Sequence, residues 1–301
     1  MSVFVCGSLH LDIIIDAPHL PRLDETVTGE AVRYAFGGKG GNQAVAAARM
    51  GAMVQMAGRV GSDEFGTTLL AGLAEAGVDA SAVSRDPGAS GMSVAISAPD
   101  GGYGAVIVSA ANLRIDPAVL SLPPHTTVVL LQNEIPEAVN LAVARKARAS
   151  GSSVVLNAAP ARGIGAELMD CVDVLVVNRV EAADMLDLPE PDLDAESAAR
   201  ALAASGPASV IVTLGGQGLV VSDSEGTHRF AAHAVGVIST HGAGDAFLGA
   251  FAAERDRGAS LSAAAAFGQA AAALHVSTPV AERGRISQAC VDALLDHGSR
   301  R

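Results

Sequence analysis

The sequence predicts an α/β fold: a mostly parallel sheet covered by helices on both faces, with a small β-rich excursion standing apart from it. Three observations lead there. From residue 127 onward, continuous Val/Leu/Ile runs alternate with helical stretches, which is how strands buried on both faces read. Residues 13–36 and 90–110 carry short β-rich pieces outside that rhythm. Half of the 301 residues are apolar and 33 are glycine, which supports a large core and argues against disorder. The length suits one large α/β domain with an appendage, so a single domain over 1–301 is expected.

Taken in order, residues 2–9 read as a buried strand ending at Gly7-Ser8, with His10 and Asp12 alternating after it. The β pieces of the first excursion are 13–15 and 26–28, separated by Pro18, Pro21 and charges. Gly37-Gly38-Lys39-Gly40-Gly41-Asn42 breaks the chain, and 43–50 is an Ala-rich helix stopped by Gly51. A strand over 54–60 leads to a helix over 64–76, which Ser62 or Asp63 can cap and Gly77 ends. Residues 90–109 hold two alternating strands around Asp100-Gly101-Gly102, a hairpin of the same excursion. Strands follow at 127–132, 153–157, 173–177 and 209–214, with helices at 136–149, 181–186 and 195–204. Residues 218–222 and 227–232 form an antiparallel edge pair, and helices over 243–255, 260–275 and about 285–296 close the chain.

Composition narrows the function. A net charge of −12 disfavours nucleic acid and an acidic membrane surface as partners. Cys6, Cys171 and Cys290 are far apart with no Cys-x-x-Cys, so three reduced, mostly buried thiols are expected. The eight histidines form no ligand-spaced cluster. The N-terminus has no basic region followed by a long apolar run, and no uninterrupted apolar segment reaches spanning length. A cytoplasmic protein is expected.

The chemistry concentrates in Ser239-Thr240-His241-Gly242-Ala243-Gly244-Asp245, a turn feeding a helix. Gly242, Ala243 and Gly244 leave backbone N–H groups accessible at a helix N-terminus, a place for a phosphate. Asp245 beside that anion makes sense as a base accepting the proton of an attacking hydroxyl. It reads equally as an N-terminal Asp stabilising its own helix. Other polar residues fall at strand C-terminal ends, where open α/β sheets bind ligands: Asp12, Glu134, Asn157, Asn178 with Glu181, and Thr213 with Gly215-Gly216. Asn178-x-x-Glu181 sets an amide and a carboxylate one turn apart, suited to a hydrated Mg²⁺, or else it is a helix cap with a surface Glu. A Walker A loop is excluded around Lys39, because Arg33 and Gly40 stand where Gly and Ser/Thr are needed. Gly7-Ser8-Leu9-His10 likewise fails the dinucleotide fingerprint.

Two glycine motifs in order, about two hundred residues apart, resemble the ribokinase-like family of carbohydrate kinases. They are Gly37-Gly38-Lys39-Gly40-Gly41-Asn42-Gln43-Ala44, followed by Gly51 and Gly61, and Thr240-His241-Gly242-Ala243-Gly244-Asp245. Residues 156–162 and 213–215 add to the likeness, which covers nearly the whole chain. The resemblance implies a Rossmann-like three-layer sandwich with a β-sheet lid, and a homodimer through that lid. It implies ATP and Mg²⁺, with the γ-phosphate passing to a sugar hydroxyl, best read as O5 of ribose. On that pattern Asp245 is the base and Gly242, Ala243 and Gly244 the anion hole. His10, Asp12, Gly38, Lys39, Asn42 and Glu134 fall at sugar-binding positions. Asn178, Thr213, Gly215, Gly218, Gly244 and Gln269 fall at nucleotide positions, and Glu181 near Mg²⁺, through water.

Two departures qualify the resemblance. The family's usual Asp before the second motif, a ligand for a monovalent cation, is Ser239 here, and the later cation segment reads Ser277-Thr278-Pro279-Val280-Ala281-Glu282. A neutral hydroxyl is a weaker ligand than a carboxylate, so a K⁺ site at Ser239 and His241 is expected to be weak or absent. His10 stands where Asn is usual, which leaves a nucleoside or another sugar as the alternative substrate. A non-catalytic sugar- or nucleotide-binding regulator is the reading from another class.

Overall fold

In a computed structural model describing residues 2–100 and 102–298, thirteen strands form two sheets. The strands are β1 Ser2–Cys6, β2 His10–Asp16, β3 Ala31–Gly37, β4 Val54–Gly61, β5 Asp79–Asp86, β6 Gly91–Ser97 and β7 Tyr103–Val108. They continue as β8 Thr126–Gln132, β9 Ser153–Asn157, β10 Val174–Asn178, β11 Ser209–Thr213, β12 Leu219–Asp223 and β13 Gly226–Phe230. The large sheet runs β13-β12-β11-β10-β9-β8-β1-β4-β5. It is parallel from β11 to β5, and β12 and β13 are the antiparallel edge pair.

The helices are α1 Lys39–Arg49, α2 Glu64–Glu75, α3 Glu137–Ser150, α4 Ala166–Met169, α5 Arg179–Met185, α6 Ala195–Ala203, α7 Ala243–Asp256, α8 Leu261–Ser277 and α9 Gln288–Gly298. They cover both faces of the large sheet, which explains the unbroken apolar strands. In β1, Val3 and Val5 enter one core cluster while Phe4 and Cys6 enter the other, and all four are fully buried. Burial of this kind stabilises by roughly 25 cal/mol per Å² of apolar surface. The chain leaves β1 for β4 and β5, then returns to β8 on the other flank of β1. Strand order therefore reverses between β1 and β8, and a crevice opens beyond their C-terminal ends.

The small sheet runs β3-β2-β6-β7, built from the two excursions expected to form a lid. Gly101, in the turn between β6 and β7, lies outside the described residues. Cross-strand register puts Ile13, Tyr34, Val94 and Val106 on one face.

Several local expectations need correction. The main-sheet strand ends at Cys6; the chain restarts at His10 in the lid sheet, so Asp12 sits inside a lid strand, not at a main-sheet strand end. The second piece of the first excursion is Ala31–Gly37, not 26–28, because only 31–37 finds a partner along β2. Helix α1 begins at Lys39, inside the glycine run. Strand β5 was not expected, since its half-exposed, charge-flanked sequence looks like a loop until β4 pairs with it. Of the thiols only Cys6 is buried, with its pKa pushed up to about 12 by burial; Cys171 is half-buried and Cys290 exposed. Among the described residues, no helix is long and apolar enough to cross a membrane.

Candidate active site

Two helix N-termini meet at the crevice. Gly38 precedes α1 with φ +86°, and a Cβ there would lie 2.7 Å from His10 N and 2.8 Å from Ser8 O. Only glycine fits that turn. The first turn of α1 is then spent on the protein itself. Lys39 N donates to Glu134 Oε2 at 2.9 Å and Gly41 N to Ser8 O at 2.9 Å. Ser8 Oγ donates to Glu134 as well. His10, only 2% exposed, sits with Nδ1 at 3.8 Å from Glu134 Oε2. Burial lowers its pKa, against the opposing pull of Glu134 and Asp12, and its Nε2 finds no partner among the described residues. Asp12 accepts from Ser93 Oγ at 2.5 Å.

At the second N-terminus Ala243 N donates to Thr240 O at 3.1 Å, while among the described residues the N–H groups of Gly242 and Gly244 have no partner. Gly242 takes φ +78° as N-cap of α7, and no side chain caps the helix. Asp245 lies in the first turn yet does not cap it. Its carboxylate accepts from Asn42 Nδ2 at 3.2 Å and from Gln43 Nε2 at 3.0 Å. That answers the open question of the sequence: Asp245 faces α1, not its own helix end. The carboxyl is 9% exposed, and burial raises its pKa while Lys39, Gln43 and Asn42 pull it down. A basic carboxylate is thus held in a fixed orientation.

A cavity of about 180 Å³ opens on Asp245 and is lined by Lys39, Asn157, Asn178, Glu181 and the 242–244 turn. Asn178 and Glu181 form a capping box: Asn178 Oδ1 accepts from Glu181 N, and Glu181 Oε2 from Asn178 N, both at 2.8 Å. The cap reading was right, but Glu181 is buried, not on the surface, and burial raises its pKa. A second cavity of about 390 Å³ adjoins the first through Thr213, Thr240, Ala243 and Gly244. Gly215, Gly216, Gly218 and Gln269 line it, and Gln269 Nε2 is a buried donor without a partner among the described residues. Such an orphan fits an acceptor on a bound ring. A Cβ on Gly244 would meet nothing within 4 Å, so the turn has room for an anion. No group of three or more His, Cys, Asp or Glu side chains fit to hold a metal exists among the described residues. Glu181, which lines this cavity with Asp245, is a carboxylate available to a divalent ion through water.

Ser239 and His241 stand apart from both cavities. Their carbonyls are taken by Arg283, at 3.0 and 3.1 Å. Sequence reasoning missed three members of the site. Gln43 is fully buried and joins Gln132 to Asp245, with Gln132 Nε2 donating to Gln43 Oε1 at 2.8 Å. Ser8 binds the start of α1. For Gln43 a signal existed, a polar residue inside an Ala-rich helix; for Ser8 and Gln132 none did.

A family described as pfkB family carbohydrate kinase matches residues 1–285. The chain belongs to that family. A ribokinase of Bacillus subtilis is 33% identical over 298 residues, covering 98% of this chain and 99% of the relative. One of Haemophilus influenzae is 34% identical over 283 residues, 92% of each. The structure of an Arabidopsis thaliana ribokinase complexed with ribose and ATP superposes with a TM-score of 0.90 at 28% identity, covering 98% of both chains. The α/β fold with its separate small sheet and the sugar-kinase class expected from the motifs are thereby borne out.

Proposed function

We propose that the chain transfers the γ-phosphate of ATP to ribose, at the O5 hydroxyl. The observation carrying this reading is the buried Asp245 carboxylate, oriented by Asn42 and Gln43 beside an uncapped helix N-terminus. The ribokinase relatives support the choice of sugar. The acceptor would lie between the lid and α1, with Asp12, Asn42 and Lys39 fixing its hydroxyls, and Gly38, Glu134 and His10 shaping the floor. Asp245 takes the hydroxyl proton onto its carboxylate as the oxygen attacks. The N–H groups of Gly242 and Gly244, and that of Ala243 once it leaves Thr240 O, receive the charge on the transferring group. ATP would occupy the cavity of Thr213, Gly215 and Gly218, its base against Gln269 and its phosphates beside Asn178. Glu181 would hold Mg²⁺ through water, and the ion would supply neutralisation of phosphate charge.

The test is ADP release from ATP and Mg²⁺ across pentoses, hexoses and nucleosides. Ribose leading the panel is expected. Another sugar or a nucleoside leading would assign the buried His10, whose Nε2 has no partner among the described residues, to a remodelled pocket. Absence of turnover on every acceptor would favour a binding regulator. A homodimer through the lid is also proposed, because Val32, Tyr34, Val106 and Val108, on one face of the small sheet, leave apolar surface exposed there. Light scattering should give twice the chain mass, and Tyr34→Glu with Val106→Glu should return it to one. The three unpaired cysteines support a reducing, cytoplasmic setting.

A further inference from the structure

Arg283 is an arginine without a counter-ion among the described residues. It is 7% exposed, and among the described residues no carboxylate pairs with it. Its donors go instead to three backbone carbonyls: Nε to Thr278 O at 3.2 Å, one Nη to His241 O at 3.1 Å, the other to Ser239 O at 3.0 Å. His275 Nε2 donates to the same His241 oxygen at 2.9 Å. Burial lowers the pKa of His275, so it serves as a neutral donor. A ring of carbonyls around one positive charge is the usual coordination of a bare monovalent cation. Here the charge arrives on a side chain, and the residues do not fit a free ion as well: the carbonyls are spent, and Ser239 offers a hydroxyl where a carboxylate would be needed.

The carbonyls matter because of where they are. His241 C=O and Gly242 N–H belong to one planar, trans peptide unit. Holding the oxygen toward Arg283 and His275 aims the N–H to the opposite side, at the start of the uncapped α7. A charged donor on the carbonyl also polarises that peptide and strengthens its N–H as a donor.

We infer that Arg283 is a built-in cation beneath the anion hole, occupying with its guanidinium the carbonyl set a free monovalent ion would use and fixing the Gly242 N–H for the transferring phosphoryl group. It is a positioning residue, and the inference rests on the kinase reading for its catalytic part.

The experiment compares wild type, Arg283→Lys and Arg283→Ala in tetramethylammonium, K⁺ or low guanidinium, by turnover and by unfolding midpoint. Wild type should turn over equally in K⁺ and tetramethylammonium, with an unchanged midpoint. Arg283→Ala should lose kcat by about 10²-fold with little change in sugar KM, and K⁺ or guanidinium should restore part of it. Its midpoint should rise in K⁺, since an ion binding only the native state stabilises it. Arg283→Lys should retain most of kcat. Strong K⁺ activation of wild type overturns the inference, as does Arg283→Ala with full kcat, or a folded Arg283→Ala that neither cation restores. Absence of turnover in wild type would sink the kinase reading, and the midpoints then decide alone: a K⁺ rise confined to Arg283→Ala upholds the built-in cation, and its absence refutes it.

Discussion

The two glycine motifs look alike in sequence and do opposite things. Both place a positive-φ glycine at the N-cap of a helix, Gly38 before α1 and Gly242 before α7, and neither helix has a side-chain cap. At α1 the free N–H groups are consumed by Glu134, Ser8 Oγ and Ser8 O, and the glycines let backbone meet backbone. At α7 Ala243 N is taken by Thr240 O, but Gly242 and Gly244 keep their donors, the first turn borders two cavities, and Gly244 looks into open space. A glycine-rich helix start becomes an anion site only where its donors are left unspent. The first motif serves by delivering Lys39, Asn42 and Gln43 to the carboxylate of the second.

Asp245→Asn is the strongest way to break this division. With Asp245 as the proposed base at the α7 end, kcat should fall about 10²–10⁴-fold. Stability at neutral pH should not fall with it. The folded pKa of Asp245 is raised, so the native state favours the protonated form. Stability from that preference is present below the unfolded carboxyl pKa and is lost as pH rises through the folded one. A neutral amide removes the cost. Urea unfolding at pH 5 and pH 8 checks the sign.

A matched pair of glycine substitutions sharpens the comparison. Gly244→Ala has room for its methyl and should leave the fold intact, while intrusion on the anion costs on the order of 10²-fold in kcat/KM. Gly38→Ala should instead destabilise by about 1–3 kcal/mol, from positive φ and backbone overlap. Equal behaviour of the two, in paired unfolding and rate measurements, would end the distinction.

The smallest effect concerns Gln43. Its hydrogen bond pulls the Asp245 pKa down against burial. A base must be ionised to act, so the acidic limb of the kcat profile marks this group, above the ordinary carboxylate range. Gln43→Ala should move that limb to higher pH. An unmoved limb would mean that Gln43 does not orient the carboxylate.

The legibility of the molecule followed the range of the forces involved. The strands from Thr126 to Thr213 and the helices between them were readable because burial on both faces writes itself into a local apolar run. The two motifs were readable because positive φ and close backbone approach demand glycine at fixed positions. Asp79–Asp86 and Ala31–Gly37 were missed because an exposed strand exists only by virtue of its partner.

The sequence by itself determined the fold class and the sugar-kinase family and named the residues proposed to bind an anion and take a proton, since each needs a particular residue type at a particular local spacing. Tertiary structure alone decided which helix start stays open, that Asp245 turns toward Asn42 and Gln43, and that Arg283 reaches the carbonyls of Ser239 and His241. Those are matters of which donor finds which acceptor across 42 to 203 residues of chain, and no local pattern carries that pairing.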